Sequence, residues 1–179
     1  MDPQVALVVV TFLLVGITGY YAWQTRELVK ENRKMIEELK IDRYINFLNR
    51  KLEKLYTPLS NIGAELLLVL RETLTGELDY KAYYEDLKKL DKRLENIRCY
   101  THLASDKLKK DLEAFLLRFS HFIVNFEFKS FSDEMQEELI GLISKLDKIL
   151  SITDEEIKDY RNELTQLMEI RTNTFSKFY

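Results

Sequence analysis

Val5-Ala-Leu-Val-Val-Val-Thr-Phe-Leu-Leu-Val-Gly-Ile-Thr-Gly-Tyr-Tyr-Ala-Trp23 is a run of 19 residues without a charge. At about 1.5 Å per residue a helix of this length spans roughly 28 Å, close to the hydrocarbon thickness of a bilayer. Ten of its residues are Val, Leu, Ile or Phe. At about −0.3 to −0.6 kcal/mol each they favour insertion by about 3–6 kcal/mol, before a smaller offset from Gly and Thr. Tyr20, Tyr21 and Trp23 crowd one end, where amphipathic rings settle at headgroup level. The run is read as a transmembrane helix over residues 5–23.

Two rival readings are weaker. A cleaved signal peptide wants a positive n-region and a small-residue cleavage site, but Met1-Asp2-Pro3-Gln4 precedes the run and helix-forming sequence follows it. A buried core helix is usually shorter and less uniformly apolar. Residues 1–4 are then expected to form a short tail outside the cell. Arg26, Lys30, Arg33 and Lys34, followed by Lys40 and Arg43, flank the other end, while no Lys or Arg precedes the run. The positive-inside rule therefore places the N-terminus outside and the remaining chain in the cytoplasm, in a cell-membrane protein whose first partner is the lipid bilayer.

Residues 24–43 lack Gly and Pro and consist of good helix formers, so the membrane helix is expected to continue as a juxtamembrane helix. Glu27 with Lys30, Glu31 with Lys34 and Glu37 with Lys40 are i,i+3 pairs. Six basic against five acidic residues make the segment nearly neutral, a poor polybasic lipid clamp. Leu28, Asn32, Met35 and Leu39 step by four and three, a coiled-coil seam with one polar residue inside it. Asn at such a position specifies register in parallel dimers, and a shared anchor raises the effective concentration of a short seam. A parallel homodimer through these residues is one reading of the spacing, and a solvated single helix is the other. Gly16 and Gly19 are three apart and so do not form the Gly-x-x-x-Gly packing motif.

Beyond residue 43 the pattern predicts an all-α fold: an antiparallel bundle of about five to six helices over residues 44–179. With 5 Gly and 2 Pro among 179 residues, the chain has little of the punctuation that a sheet needs. Ile41, Ile45, Leu48, Leu52, Leu55 and Leu59 form one stripe, which Pro58 is expected to end. Thr57 and Pro58 read as cap and first residue of a second helix reaching Leu74, with Gly76 as its stop. That helix is apolar nearly all round, so it is expected at the centre of the core, with Gly63 and Ala64 permitting close approach.

A third helix over Tyr80–Leu103 carries Tyr83, Leu87, Leu90, Leu94 and Ile97. Ser105 caps a fourth over Asp106–Phe126, with Leu108, Leu112, Phe115, Phe119, Phe122 and Phe126 inward. Ser132 or Asp133 opens a fifth, with Met135, Leu139, Leu142, Leu146 and Ile149. Thr153-Asp-Glu-Glu156 matches a capping box and is expected to start a last helix bearing Ile157, Tyr160, Leu164, Leu167 and Phe175.

Net charge is −3 with pI about 5.6, so no basic field points to nucleic acid. Residues 24–56 are net +3 and residues 57–179 net −5, so the acidic part is expected to face away from an anionic leaflet. The single cysteine, Cys99, excludes an internal disulfide framework and suits a reducing compartment. Cys99 and His102 share an i,i+3 face and His121 lies on the next helix, yet a zinc site needs three or four ligands and nothing in the spacing demands one. The glycines are isolated, so no phosphate loop is present, and no Glu-x-x-His motif occurs. No catalytic residue, metal or cofactor is expected, and the chain does not read as an enzyme.

Phe126-Glu-Phe-Lys-Ser-Phe131 is expected to plug the core from a loop, and Phe175, Phe178 and Tyr179 to pack on the bundle or serve as a recognition tail. The function expected is an interaction or scaffold module that recruits an unknown protein partner at the membrane. The alternatives are a signal-transducing subunit that relays through the continuous helix, whose four-residue outer tail is too short to sense anything, and a membrane-acting toxin or pore component. The last ranks lowest, because the anchor has no polar pore-lining stripe.

Overall fold

The computed structural model describes residues 3–75, 80–128 and 132–176, and these are almost entirely helical, with no strand among them. The chain divides into two units, residues 1–44 and 45–179.

The first unit lies within helix α1 (Pro3–Lys51). Pro3 occupies the first helical position, where its missing N–H would have had no partner and its fixed φ suits the helix. Among the described residues, this is the one helical stretch long and apolar enough to cross a membrane. Its described side chains over residues 5–23 are all exposed. Thr11, Thr18 and Thr25 donate their hydroxyls to the carbonyls of Leu7, Leu14 and Tyr21, at 2.8, 2.7 and 2.7 Å. The hydroxyls are thereby satisfied within the helix, which matters most where no water is at hand.

The second unit holds the end of α1, a π-helical turn (Leu52–Tyr56), α2 (Thr57–Thr75), α3 (Tyr80–Arg98), a 3-10 turn (Thr101–Leu103), α4 (Asp106–Phe128) and α5 (Asp133–Ser176). Each of α2 and α4 packs against both α3 and α5, so the four helices close into a bundle around one core. The stripes expected on α3, α4 and the first half of α5 are buried throughout. Phe115 stacks on Phe119 with centroids 5.7 Å apart, and Phe122 meets Phe126 at 5.5 Å, two aromatic pairs along α4. On α2 and α5, Tyr56 meets Glu156, Ser60 meets Asp154, Gly63 lies against Leu150 and Arg71 pairs with Asp147. Numbers rise along one helix as they fall along the other.

Four expectations are corrected. Pro58 does not end a helix. The backbone widens one turn earlier, where Thr57 N–H bonds to Leu52 C=O, five residues back, and Thr57 itself is helical at φ −65° and ψ −46°. A π-turn makes room where the proline ring would strike the preceding turn, so α1 and α2 join through it without a loop. Thr153 is no N-cap: it is fully buried within α5 and its hydroxyl donates to Ile149 C=O at 2.8 Å. Nothing around it breaks a helix, so the fifth and sixth helices expected are one continuous helix, α5. The second helix is not buried all round, since apolar Leu68 is 60% exposed and Ala64 faces outward. Gly63 alone gives the close approach, its missing Cβ falling 2.6 Å from a Leu150 methyl. Finally, α3 stops at Arg98 rather than Leu103, because the chain tightens to i→i−3 bonds at Tyr100, Leu103 and Ala104.

Ser105 is the cap of α4, its Oγ accepting from Leu108 N–H at 3.2 Å. Of the loop aromatics, Phe126 is buried, while Phe131, Gly76, Phe178, Tyr179 and the side chain of Phe175 lie outside the described residues.

Candidate functional site

The most polar point of the bundle interior gathers around Tyr56, the last residue of the π-turn. Its ring is fully buried and its hydroxyl donates to Glu156 Oε2 at 2.5 Å. Ser105 Oγ donates to Oε1 of the same carboxylate at 2.5 Å, and Ser105 N–H donates to the Tyr56 hydroxyl at 3.2 Å. The Tyr160 ring meets Tyr56 edge-on at 5.2 Å, their hydroxyls 3.5 Å apart. Lys51 Nζ donates to the Tyr160 hydroxyl at 3.2 Å and lies 5.0 Å from the Phe47 ring centre. Burial, first of all, and the bond to Glu156 push the Tyr56 hydroxyl far above the ordinary tyrosine range. One carboxylate thus fastens the π-turn, the cap of α4 and the middle of α5 together. The Tyr56 ring is buried while Ser105, Glu156 and Tyr160 are half-buried around it, an arrangement that ties three elements together as a clasp.

The signal for this clasp is nearly absent from the sequence. Tyr56 and Glu156 are 100 residues apart, and Glu156 reads more simply as the partner of Thr153 in a capping box. Only the Ser105 cap was legible.

A second polar group joins α3 and α4. Arg98 reaches the Leu116 carbonyl and the Ser120 hydroxyl, each at 3.4 Å, and Ser120 lies 3.5 Å from Asp91. Partial burial, then the charge of Glu95, raises the Asp91 carboxyl above its usual range, with Arg98 and Ser120 opposing. Between α2 and α3 a shallow groove is lined by Glu65, Val69, Asp86, Lys89, Leu90 and Arg93. Four of its five charged residues form the Arg93–Glu65 and Lys89–Asp86 pairs, and Lys92 is the fifth.

Cys99 and His102 sit at the end of α3. His102 Nδ1 is 3.1 Å from the Cys99 carbonyl, which can only accept, so Nδ1 carries a proton. Thr101 Oγ1 donates to the Arg98 carbonyl at 3.1 Å. Both side chains cover carbonyls that the terminating helix leaves open. His121 is exposed on α4, and no group of three or more His, Cys, Asp or Glu side chains able to hold an ion occurs among the described residues.

In the first unit, the Tyr20 ring lies 6.0 Å from Tyr21 and 6.4 Å from Trp23, and Gln24 donates to the Tyr20 hydroxyl at 3.0 Å. Arg26, Lys30, Arg33 and Lys34 follow within the next turns of α1, all exposed. Lys30 pairs with Glu27 at 2.8 Å, and this hydrogen bond holds the Glu27 carboxyl below its usual range. Leu28, Asn32, Met35 and Leu39 are exposed, Leu28 at 58% and Met35 at 57%. Val29 and Ile36 lie beside them and are also exposed. No family model, curated protein or solved structure matches the chain.

Proposed function

We propose that this chain is a single-pass membrane-anchored protein whose helical bundle serves as an interaction or scaffold module at the cytoplasmic face of the cell membrane. The observation that carries this reading is the exposure of every described side chain from Val5 to Trp23. An exposed apolar helix of that length is unfavourable in water, so lipid is its natural surrounding. The aromatic cluster and the basic residues at its C-terminal edge support an orientation with the N-terminus outside. The bundle is read as antiparallel, acting by binding protein partners rather than by catalysis, with no nucleic acid or cofactor involved. Its interior polar group ties three elements together, which supports a rigid body whose surface does the work.

A C-terminal reporter should read cytoplasmic, and the full chain should float with vesicles after alkaline carbonate washing. An extracellular reporter would overturn the orientation, and a soluble chain would overturn the anchor. Specific partners are expected in pull-downs with the full chain, and their absence would count against the scaffold. A second reading, relay of a signal along the helix, is favoured by the length of α1, one helix from Pro3 to Lys51. A helix-breaking insertion near Asn32 separates the two, since relay should fail and tethering survive.

A further inference from the structure

We propose that α1 carries a parallel self-association seam running without interruption from inside the membrane segment to Leu39, and that its occupant is a second copy of this chain. The inference rests on the anchored reading above and names the partner of that helix.

Thr11, Thr18, Thr25, Asn32 and Leu39 recur every seven residues, and so do Leu7, Leu14, Tyr21, Leu28 and Met35. Set side by side, they are the a and d columns of one heptad register, and none of the ten is charged. The second half of the register lies in a segment where 11 of 20 residues are charged, so keeping charge off the seam there is a specific property of that face. Asp42 at the next d position and Asn46 at the next a position end it. The seam covers 33 residues, about 50 Å of helix.

Each threonine hydroxyl of the a column is bonded to the carbonyl of the d residue one turn before it: Thr11 to Leu7, Thr18 to Leu14, Thr25 to Tyr21. The face is therefore polar in name only within the membrane segment. Its a column presents small β-branched side chains whose hydroxyls need no further partner, and its d column presents Leu7, Leu14 and Tyr21. In the charged segment Leu28, Val29, Met35, Ile36 and Leu39 are between 44% and 58% exposed, a continuous apolar strip beside Asn32.

Three features select a second copy, in parallel. In a parallel pair the a layer sets Asn32 against Asn32, and an amide, being donor and acceptor at once, satisfies its own twin within an otherwise apolar strip. The g-position Glu38 meets the e-position Arg43 of the other copy, whereas an antiparallel pair would bring the g-position row of Glu31 and Glu38 against its own like charges. Two copies with one anchor sequence also insert with the same orientation, which keeps these layers in register. The alternative face of the membrane segment, around Phe12, Gly16 and Tyr20, holds one glycine between large rings and so lacks a small-xxx-small pair. A seven-residue repeat on a helix of 3.6 residues per turn further requires the two copies to wrap left-handed.

The test is disulfide scanning of the full chain in liposomes, in a Cys99→Ser background. Single cysteines are placed at Thr18, Thr25, Leu28, Asn32, Met35 and Leu39, and at Gly16, Trp23, Lys30 and Glu37 on the opposite face. Cross-linking is expected at least tenfold more efficient at the first set, and Asn32→Lys should suppress the Leu28→Cys cross-link to the level of the opposite face. Efficiency that is flat along the helix, or that peaks at Gly16, Trp23, Lys30 and Glu37, overturns the seam. Flotation of the same samples separates the two failures. A chain that floats but does not cross-link on the seam defeats this inference alone, and a chain that does not float defeats the anchor on which it rests.

Discussion

Removing the Tyr56 hydroxyl is the sharpest test of the clasp. Tyr56→Phe keeps the buried ring and its packing and deletes one oxygen, which donates to Glu156 and accepts from Ser105 N–H. A hydrogen bond to a charged partner contributes about 1.5–3 kcal/mol, and a neutral one about 1 kcal/mol. Glu156 keeps its bond from Ser105 Oγ, and Ser105 is only half-buried, so water can take over its N–H. The expected loss is therefore about 2 kcal/mol rather than the sum. Tyr56→Ala adds the cavity and should cost about 3–5 kcal/mol or more.

The same residue predicts an alkaline response. The folded hydroxyl titrates above the unfolded value of about 10, so the folded state holds its proton where the unfolded state releases it. The contribution is fully present below about pH 10, and stability falls above it by up to about 1.4 kcal/mol per pH unit from this one group. Tyr56→Phe should remove that share of the slope. Urea unfolding of the full chain in nonionic detergent, followed by helical circular dichroism at pH 7 and above pH 10, measures both quantities. A variant within about 0.5 kcal/mol of the parent at pH 7, with an unchanged alkaline slope, would refute the clasp.

Thr153→Val should change stability by less than about 0.5 kcal/mol, because the buried hydroxyl only doubles a helical carbonyl's bonding; loss of a genuine N-cap would cost about 1 kcal/mol. Gly63→Val should destabilise by about 1–3 kcal/mol in the same urea assay, since its first carbon meets the end of the Leu150 side chain and a β-branched group adds to the overlap that this side chain must yield to. Phe119→Ala should cost about 3–5 kcal/mol, as a fully buried ring stacked on Phe115 leaves a cavity. Asp91→Asn should raise stability at pH 7 by a few tenths of a kcal/mol, a gain that fades below the unfolded carboxyl pKa near 4. The sign follows because a raised folded pKa favours the protonated form, whose advantage is present at low pH and lost as pH rises. Urea midpoints at pH 3 and pH 7 decide it, and a larger gain at pH 3 would contradict the assignment.

Local periodicity determined the helical class, the apolar span and most of the core. The stripes of α3, α4 and early α5 each repeat at the spacing that one helix face requires, and a helix with such a face has one way to bury it. The Ser105 cap was legible for the same reason, because its partner, Leu108 N–H, lies three residues away. Where the structure departs, the deciding contact is distant. Pro58 is a helix breaker by local rules, but the packing of Leu55, Tyr56 and Leu59 on either side holds one helical path, and a π-turn absorbs the ring. Thr153 and Glu156 form a capping box by spacing. Burial of Thr153 turned its hydroxyl back along the helix, and Tyr56 and Ser105 claimed the Glu156 carboxylate from about 100 and about 50 residues away. Propensity and capping are worth about 1 kcal/mol per residue, whereas burying a large apolar side chain or closing a charged hydrogen bond contributes two or three times that. The sequence by itself therefore determined which faces are apolar and where the chain could meet a membrane, and tertiary packing alone decided how many helices there are and which carboxylate ties them together.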